Sequence, residues 1–379
     1  MEERTTSIPV SGVEVMRESL VEAKKGRNHK SKGGIMKRVC SSVHLFVILF
    51  FAITSMAATI SFAQEKVITI KFTNWFPIGT KHDDIFREWS KDLEKRAGGK
   101  VKVNYYAAGT LVPAAQSYDA VVKGIADVGN HVLGYTMGRF PFSQVLDLPI
   151  GMPQGAAATM IANEFYKKFN PKEFDDVKVL FLHGNPSGYV NTKNRPIAKL
   201  EDLKGLKLRC YGSNAKFVGL LGAAPVAMPM TDVYDALAKG VVDGLLGDYP
   251  GLFNFKTGEY IKYTTENHST AYSAAFIVMM NKQKFNSLPK DIQTIVDQMS
   301  REYMEKYAKA WTDMEVEGKE WLIKRGGKIS SLSKEEEARW YEKGAKPLVE
   351  AYIKEMKEQG LPGDEAVKFL LDSFKKHGK

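Results

Sequence analysis

Cysteine is nearly missing from this chain: 379 residues hold two, Cys40 and Cys210. Cys40 lies ahead of an apolar leader, so the mature chain keeps Cys210 alone and no internal disulfide can form. No histidine neighbours Cys210 in sequence to serve as a base, so it reads as a small buried hydrophobe rather than a nucleophile. The seven histidines, His29, His44, His82, His131, His183, His268 and His377, show no metal-ligand spacing. There is no glycine-rich phosphate loop ending in Lys-Ser/Thr, no His-Glu-x-x-His, no Gly-x-Ser-x-Gly and no paired Cys-x-x-Cys. Repeats and low-complexity tracts are absent as well. The chain has 54 basic and 44 acidic residues, and 9 and 5 of these fall in residues 1–63. The remainder keeps an excess of six positive charges with the signs interspersed. No basic stripe forms, which excludes a nucleic-acid binder. An enzyme is left without a visible nucleophile, base or metal cluster.

One long uncharged run is present. Residues 43–63, VHLFVILFFAITSMAATISFA, follow Lys37 and Arg38 and end with the small residues Ser61 and Ala63. That is the layout of a cleavable signal peptide over 36–63, cut between Ala63 and Gln64. A retained membrane anchor is the competing reading, and the small residues at the end of the run favour cleavage. Residues 1–35 are polar and aperiodic and read as a disordered extension or a mis-called start before Met36.

Beyond residue 64, strand and helix signals alternate. Strands are expected at 67–75, 101–106, 126–131, 145–150, 177–183, 206–209, 226–228 and 241–246, with helices at 82–97, 116–124, 156–169 and 214–221 and one at 232–239 capped by Thr231. The uninterrupted apolar run 273–281 (SAAFIVMMN) predicts a buried strand. It comes long after the second set of strands, so the chain should cross between two domains more than once. Ile292, Ile295, Val296, Met299, Tyr303, Tyr307 and Trp311 recur at helical intervals and predict one long helix over about 290–324. Two amphipathic helices follow, separated near Gly360–Pro362. The pattern is that of α/β domains with mostly parallel sheets. Within it, Arg209 ends a short apolar strand just before a turn that opens a helix. An arginine there offers a planar, permanently charged fork to a carboxylate.

Four segments in order carry a resemblance: AAGTLVPAAQSYDAVVKGIADVG (107–129), RPIAKLEDLKGLKLR (195–209), GAAPVAMPMTDVYDALAKGVVDG (222–244) and MNKQKFNSLPKDIQ (280–293). Together they resemble the solute-binding proteins of TRAP (tripartite ATP-independent periplasmic) transporters, the family named for C4-dicarboxylate binding, from Ile68 to the C-terminus. The resemblance implies a periplasmic-binding-protein-like fold: two α/β domains with a ligand cleft, crossing strands and a long helix bracing both. Domain I is expected over 64–185 plus about 273–300, and domain II over 186–272 plus about 301–379. The implied function is capture of an organic acid in the periplasm and its delivery to the small and large membrane subunits of a TRAP transporter, by a monomer without catalysis, cofactor or metal. A ligand-presenting partner of a sensor receptor, or an enzyme on the same scaffold, are the alternative functions.

Arg209 is implied as the carboxylate anchor. The other expected cleft residues are Asn74, Trp75, Asn130, His131, Tyr135, Tyr189, Tyr211, Met230 and Asp248. Around the anchor the chain departs from the sialic-acid-binding branch: Tyr189 stands where that branch has a second arginine, Met230 where it has a phenylalanine and Val132 where it has a glutamate. Leu245, Leu246 and Gly247 replace a frequent Gln-Glu-Asn. These changes remove polar partners for a polyhydroxylated sugar acid, and each unpaired buried hydroxyl would cost about 1–3 kcal/mol. A carboxylate with an apolar or aromatic body suits the remaining residues, and a short dicarboxylate or hydroxy acid is the alternative.

Overall fold

The computed structural model describes residues 67–153 and 155–377. The leader and the cleavage point at Ala63 therefore lie outside the described residues. Among the described residues no helix is long and apolar enough to cross a membrane. Two sheets organise the chain. The first has the order β2-β1-β3-β10-β4 and is built from β1 (Ile68–Thr73), β2 (Val101–Tyr106), β3 (Val128–Val132), β4 (Val177–Gly184) and β10 (Ala275–Asn281). The second has the order β11-β9-β5-β8-β6-β7, from β5 (Tyr189–Thr192), β6 (Lys207–Cys210), β7 (Ala224–Ala227), β8 (Gly244–Gly247), β9 (Tyr263–Glu266) and β11 (Lys328–Ser331). β1 pairs in parallel with β2 and β3, and β6 with β7 and β8. β10 inserts antiparallel between β3 and β4. All seven β10 residues are buried, as expected of a strand with sheet on both edges and side chains covered on both faces.

Helices cover these sheets: α1 (Lys81–Arg96), α2 (Ser117–Val122), α3 (Gly155–Phe169), α4 (Asn214–Leu221), α5 (Val233–Ala238), α6 (Tyr249–Asn254) and α7 (Lys282–Ser287). The last part of the chain adds α8 (Lys290–Lys324), α9 (Lys334–Trp340), a π-helical turn (Tyr341–Ala345), α10 (Lys346–Glu358) and α11 (Gly363–His377). α1 shows how sequence sets an element. Thr80 caps it by accepting from the Asp83 amide, and Ile85, Phe86, Trp89 and Leu93 form its buried stripe. Asp83 and Asp84 lie in its first turn and Lys95 and Arg96 in its last, each favourable to the helix dipole.

α8 is 35 residues long, about 52 Å at 1.5 Å per residue. Its buried stripe runs Ile292, Val296, Met299, Tyr303, Tyr307, Trp311, Met314, Gly318 and Leu322. The helix packs on α1, α3 and β4 of the first layer and on α6 of the second. Gly318 permits the last contact, since a Cβ there would lie 2.5 Å from the Tyr249 carbonyl oxygen. Of the C-terminal helices, all expected with the second domain, α9 packs on the second layer, where Arg339 pairs with Glu201, while α10 and α11 pack on the first. The Tyr352 hydroxyl donates to the Phe142 carbonyl (2.7 Å), Phe369 lies against Phe165, and Lys376 pairs with Glu164 (2.7 Å).

The chain crosses between the sheets through residues 185–188 and back through 267–274. The two crossings run side by side: the Gly188 amide donates to the Tyr272 carbonyl (2.8 Å) and the pair forms an antiparallel bridge. Any Cβ at position 188 would fall 2.2 Å from the Tyr272 ring, so only glycine lets that ring lie over the crossing backbone.

Three local expectations are corrected. The apolar run 145–150 is not a strand. It contains part of a 3₁₀ turn, Ser143–Asp147, whose first amides donate to the Glu173 carboxylate. Pro149 closes the run, and Val145, Leu146 and Leu148 are buried without a ladder. Thr231 does not cap α5: its hydroxyl turns to Asp232, and the helix follows directly from a 3₁₀ turn. The short, polar strands β5, β9 and β11 carry too little alternation to be read in advance.

Candidate functional site

β6, β7 and β8 run parallel and end together. At that edge Arg209 stands opposite Val226 on one side and Leu245 on the other. Its side chain leaves the C-terminal end of the sheet, the usual ligand edge of an α/β layer. Arg209 is only 3% exposed. Its Nε–H donates to the Met228 carbonyl (3.0 Å) and Nη1 to the Leu246 carbonyl (3.4 Å), which fixes the plane of the guanidinium. Its Cζ lies 5.6 Å from the centre of the Tyr211 ring. Among the described residues no carboxylate forms an ion pair with it. A permanently charged group so deeply buried, and held by neutral groups without a carboxylate, is poised for an anion.

The cavity above Arg209 holds about 490 Å³ of empty space, part of it open to solvent. Tyr135, Tyr211, Met230, Gly247 and Asp248 surround the guanidinium end. Tyr135 comes from the turn after β3, and its hydroxyl accepts from the Met230 amide (2.9 Å), which ties the two layers across the cavity. Burial raises the Tyr135 hydroxyl pKa, so it is protonated at neutral pH. Asp248 caps α6, accepting from the Gly251 amide (2.7 Å) and from the Asn185 side-chain amide. Asn185 in turn accepts from the Ala274 amide and the Ser273 hydroxyl on the other crossing segment. Asp248 is thus held by donors of its own, and burial raises its pKa. It moderates the charge of Arg209 without pairing with it.

Most of the remaining wall is aromatic, with Val132, Asn185, Asn254 and Ala274 between the rings. Trp75 donates from Nε1 to the Asn130 carbonyl (3.2 Å) and stacks on Phe76, ring centres 4.1 Å apart. It lies nearly parallel to Phe276 (6.3 Å, 12°) and to Phe255 (6.1 Å, 26°). His82 stacks on Phe76 (4.0 Å, 16°) and meets Trp311 edge-on (4.4 Å). Trp311 is fixed by donating from Nε1 to His183 Nδ1 (3.1 Å).

The structure thus gathers Arg209, Trp75, Tyr135, Tyr211, Met230 and Asp248 around one cavity. It does not bring the other four expected residues to it. Asn74 is consumed by Asp83 Oδ1 (3.1 Å), the Tyr105 hydroxyl (2.8 Å) and the Phe76 amide (3.1 Å). His131 uses both ring nitrogens on Ser117, Ala114 and Thr136, and burial lowers its pKa to about 4. Asn130 is wholly buried behind Trp75. Tyr189 lines a separate polar cavity with Tyr249, Glu266, Glu315 and Lys319. The free thiol of Cys210 is buried and pushed up to about 11, an inert setting. Sequence reasoning missed Phe76, His82, Asn185, Phe255, Tyr272, Phe276 and Trp311. Trp311 and Phe276 had been visible only as apolar positions of a helix and a buried strand.

Residues 73–355 match the model of the bacterial extracellular solute-binding proteins, family 7 (DctP). A solute-binding protein of Albidiferax ferrireducens is 28% identical over 273 residues, 68% of this chain and 78% of the relative. Among solved structures, a TRAP solute-binding protein from a marine metagenome, specific for aromatic acid ligands and in complex with 3-hydroxybenzoate, superposes with a TM-score of 0.77 at 29% identity. That match covers 83% of this chain and all of the other. A TRAP solute-binding protein of Rhodoferax ferrireducens T118 in complex with copurified benzoate gives a TM-score of 0.76 at 27% identity, covering 82% and 98%.

Proposed function

The chain belongs to the bacterial extracellular solute-binding proteins, family 7, the binding proteins of TRAP transporters and not enzymes, and from that premise we propose that its ligand is a monocarboxylic acid with an aromatic body. The carboxylate lies on Arg209, with Tyr135 and Tyr211 beside it, and the ring lies among Trp75, Phe255 and Phe276. The observation that carries this reading is the pairing of a buried guanidinium that has no carboxylate partner with a wall in which half of the lining residues carry rings. A second carboxylate has no cation waiting for it: among the described residues the cavity lining holds no other lysine or arginine. Two relatives solved with benzoate and 3-hydroxybenzoate support the same class.

The exported protein, cleaved after Ala63, would act as a periplasmic monomer. One domain is built on the first sheet (64–185 with about 273–300) and takes in α10 and α11. The other is built on the second sheet (186–272 and the residues after 300 that pair with it). The closed, liganded form would be the one presented to the membrane subunits. A thermal-shift screen of the purified mature chain tests the ligand class, because a ligand of the folded state raises its melting temperature. Benzoates and phenylacetates should give the large shifts, with little response to C4-dicarboxylates. Shifts confined to sugars, cations or dicarboxylates would refute the assignment.

A further inference from the structure

His82 lines the same cavity but takes no part in holding the carboxylate. Its ring contacts, Phe76, Tyr307 and Trp311, are all distinct from the Tyr135, Tyr211, Met228 and Leu246 groups around Arg209. Trp75 lies between the two sets, touching Tyr135 on one side and Phe76 on the other. His82 is 1% exposed, and among the described residues neither of its ring nitrogens has a hydrogen-bond partner. Nδ1 is sealed and out of reach of a ligand, so Nε2 is the ring nitrogen that can meet one. A neutral imidazole always carries one donor and one acceptor. Leaving such groups unpaired inside a protein is destabilising, so a partner brought by a ligand is favoured. Of the other two deeply buried histidines, His131 uses both nitrogens, while His183 accepts from Trp311 at Nδ1 and leaves Nε2 unpartnered. Burial holds His82 uncharged, with its pKa lowered to about 3.

Resting on the functional reading above, we infer that His82 is a specificity-determining residue that hydrogen-bonds a hydroxyl on the ring of the acid, at the end remote from the carboxylate. The stacked Phe76 and edge-on Trp311 hold the imidazole plane, so the hydrogen bond has a fixed direction. A neutral imidazole suits a phenolic hydroxyl, which can give or take the bond. It offers no countercharge to a second carboxylate.

Calorimetric titration of the mature protein with benzoate, 3-hydroxybenzoate and 4-hydroxybenzoate tests this, in wild type and in His82→Phe. In wild type at least one hydroxybenzoate should bind tenfold or more tighter than benzoate. In the variant that ratio should fall at least tenfold, and His82→Asn should restore part of it. A loss of fold or of general packing would weaken all three acids together and leave the ratio unmoved, which would overturn the assignment. So would a wild type that does not favour either hydroxybenzoate. Should His82→Phe not fold, NMR of the wild-type ring decides: its nitrogen resonances should shift with the preferred hydroxybenzoate and not with benzoate. The same shift with both acids counts against the role. If the wild type binds none of the three acids, the functional reading itself fails. If it binds them with an unchanged ratio in the variant, only the role of His82 fails.

Discussion

Arg209 is tied by its neighbours to neutral carbonyls, while the nearby carboxylate of Asp248 is occupied by Gly251 and Asn185. The unliganded protein therefore carries a buried charge whose compensation arrives with the ligand. Replacing Arg209 with Met, of similar length and without charge, should weaken binding of any carboxylate by at least a hundredfold. In the absence of ligand the same variant should melt no lower than wild type, because the desolvated charge is removed along with the site. Calorimetry and apo melting curves measured together check both halves, and normal affinity would defeat the role of Arg209. Asp147 gives a second prediction at this scale. It is 2% exposed, accepts from the Ala275 amide (2.8 Å), and burial raises its pKa from 3.8 to about 7. A raised carboxyl pKa means that the folded state holds the proton more tightly than the unfolded one. Stability from this group is therefore present at low pH and lost as pH climbs from about 4 to 7. Asp147→Asn keeps the acceptor for Ala275 and removes the titration. The variant should gain about 1–2 kcal/mol over wild type at pH 8 and little at pH 4. Urea melts at the two pH values would show it, and an equal difference at both would refute it. His82 and His131 act in the opposite sense. Their lowered pKa values mean that the unfolded state takes up protons first, so stability is lost as pH falls from about 6.5 toward 3.

At the scale of elements, legibility in the sequence followed how much periodicity each element had to display. α8 was read almost to the residue because its stripe repeats over 35 positions. α1 and β2 were read for the same reason, and β10 from its unbroken apolar run. The 145–150 segment misled because a short apolar run has no period, and Pro149 and the Glu173 carboxylate decide in favour of a 3₁₀ turn. The site divided along a similar line. Arg209 was legible because a charge at a strand end is conspicuous. Asn74 and His131 shared that conspicuousness, yet local partners within the chain use them up. His82 and Trp311 were invisible because an aromatic or histidine on an apolar helix face looks the same whether it meets core or cavity. The contact between α8 and α6 carries its own prediction. Gly318→Val places a branched side chain against the Tyr249 backbone, 2.5 Å away at its Cβ. The helices must separate, at a cost of about 2–4 kcal/mol. Because Asp248 caps α6, affinity for the acid should fall as well. Thermal melting and titration of the variant test this, and a change in neither would show that the two helices pack independently.

Across the whole molecule, two sheets, one bracing helix and two crossing segments converge on one cavity. Asn185 and Tyr272, both on the crossings, line it, and Asn185 bonds to both Asp248 and the returning segment. Anything that changes the angle between the layers therefore acts on groups that touch the ligand. Small-angle scattering should report a lower radius of gyration with the acid bound than without it, and an unchanged radius would argue against closure around Arg209. The 3% exposure of Arg209 has a further consequence, in time rather than affinity. An anion held where solvent hardly reaches cannot slip away through a gap, so every departure must wait for the same parting of the walls. Chemically different acids should then leave at similar rates, set by the protein's own opening, even where their affinities differ tenfold. Stopped-flow displacement followed by the fluorescence of Trp75 and Trp311 would measure those rates. The molecule would behave as a clock for release, keeping the same time for each guest it admits.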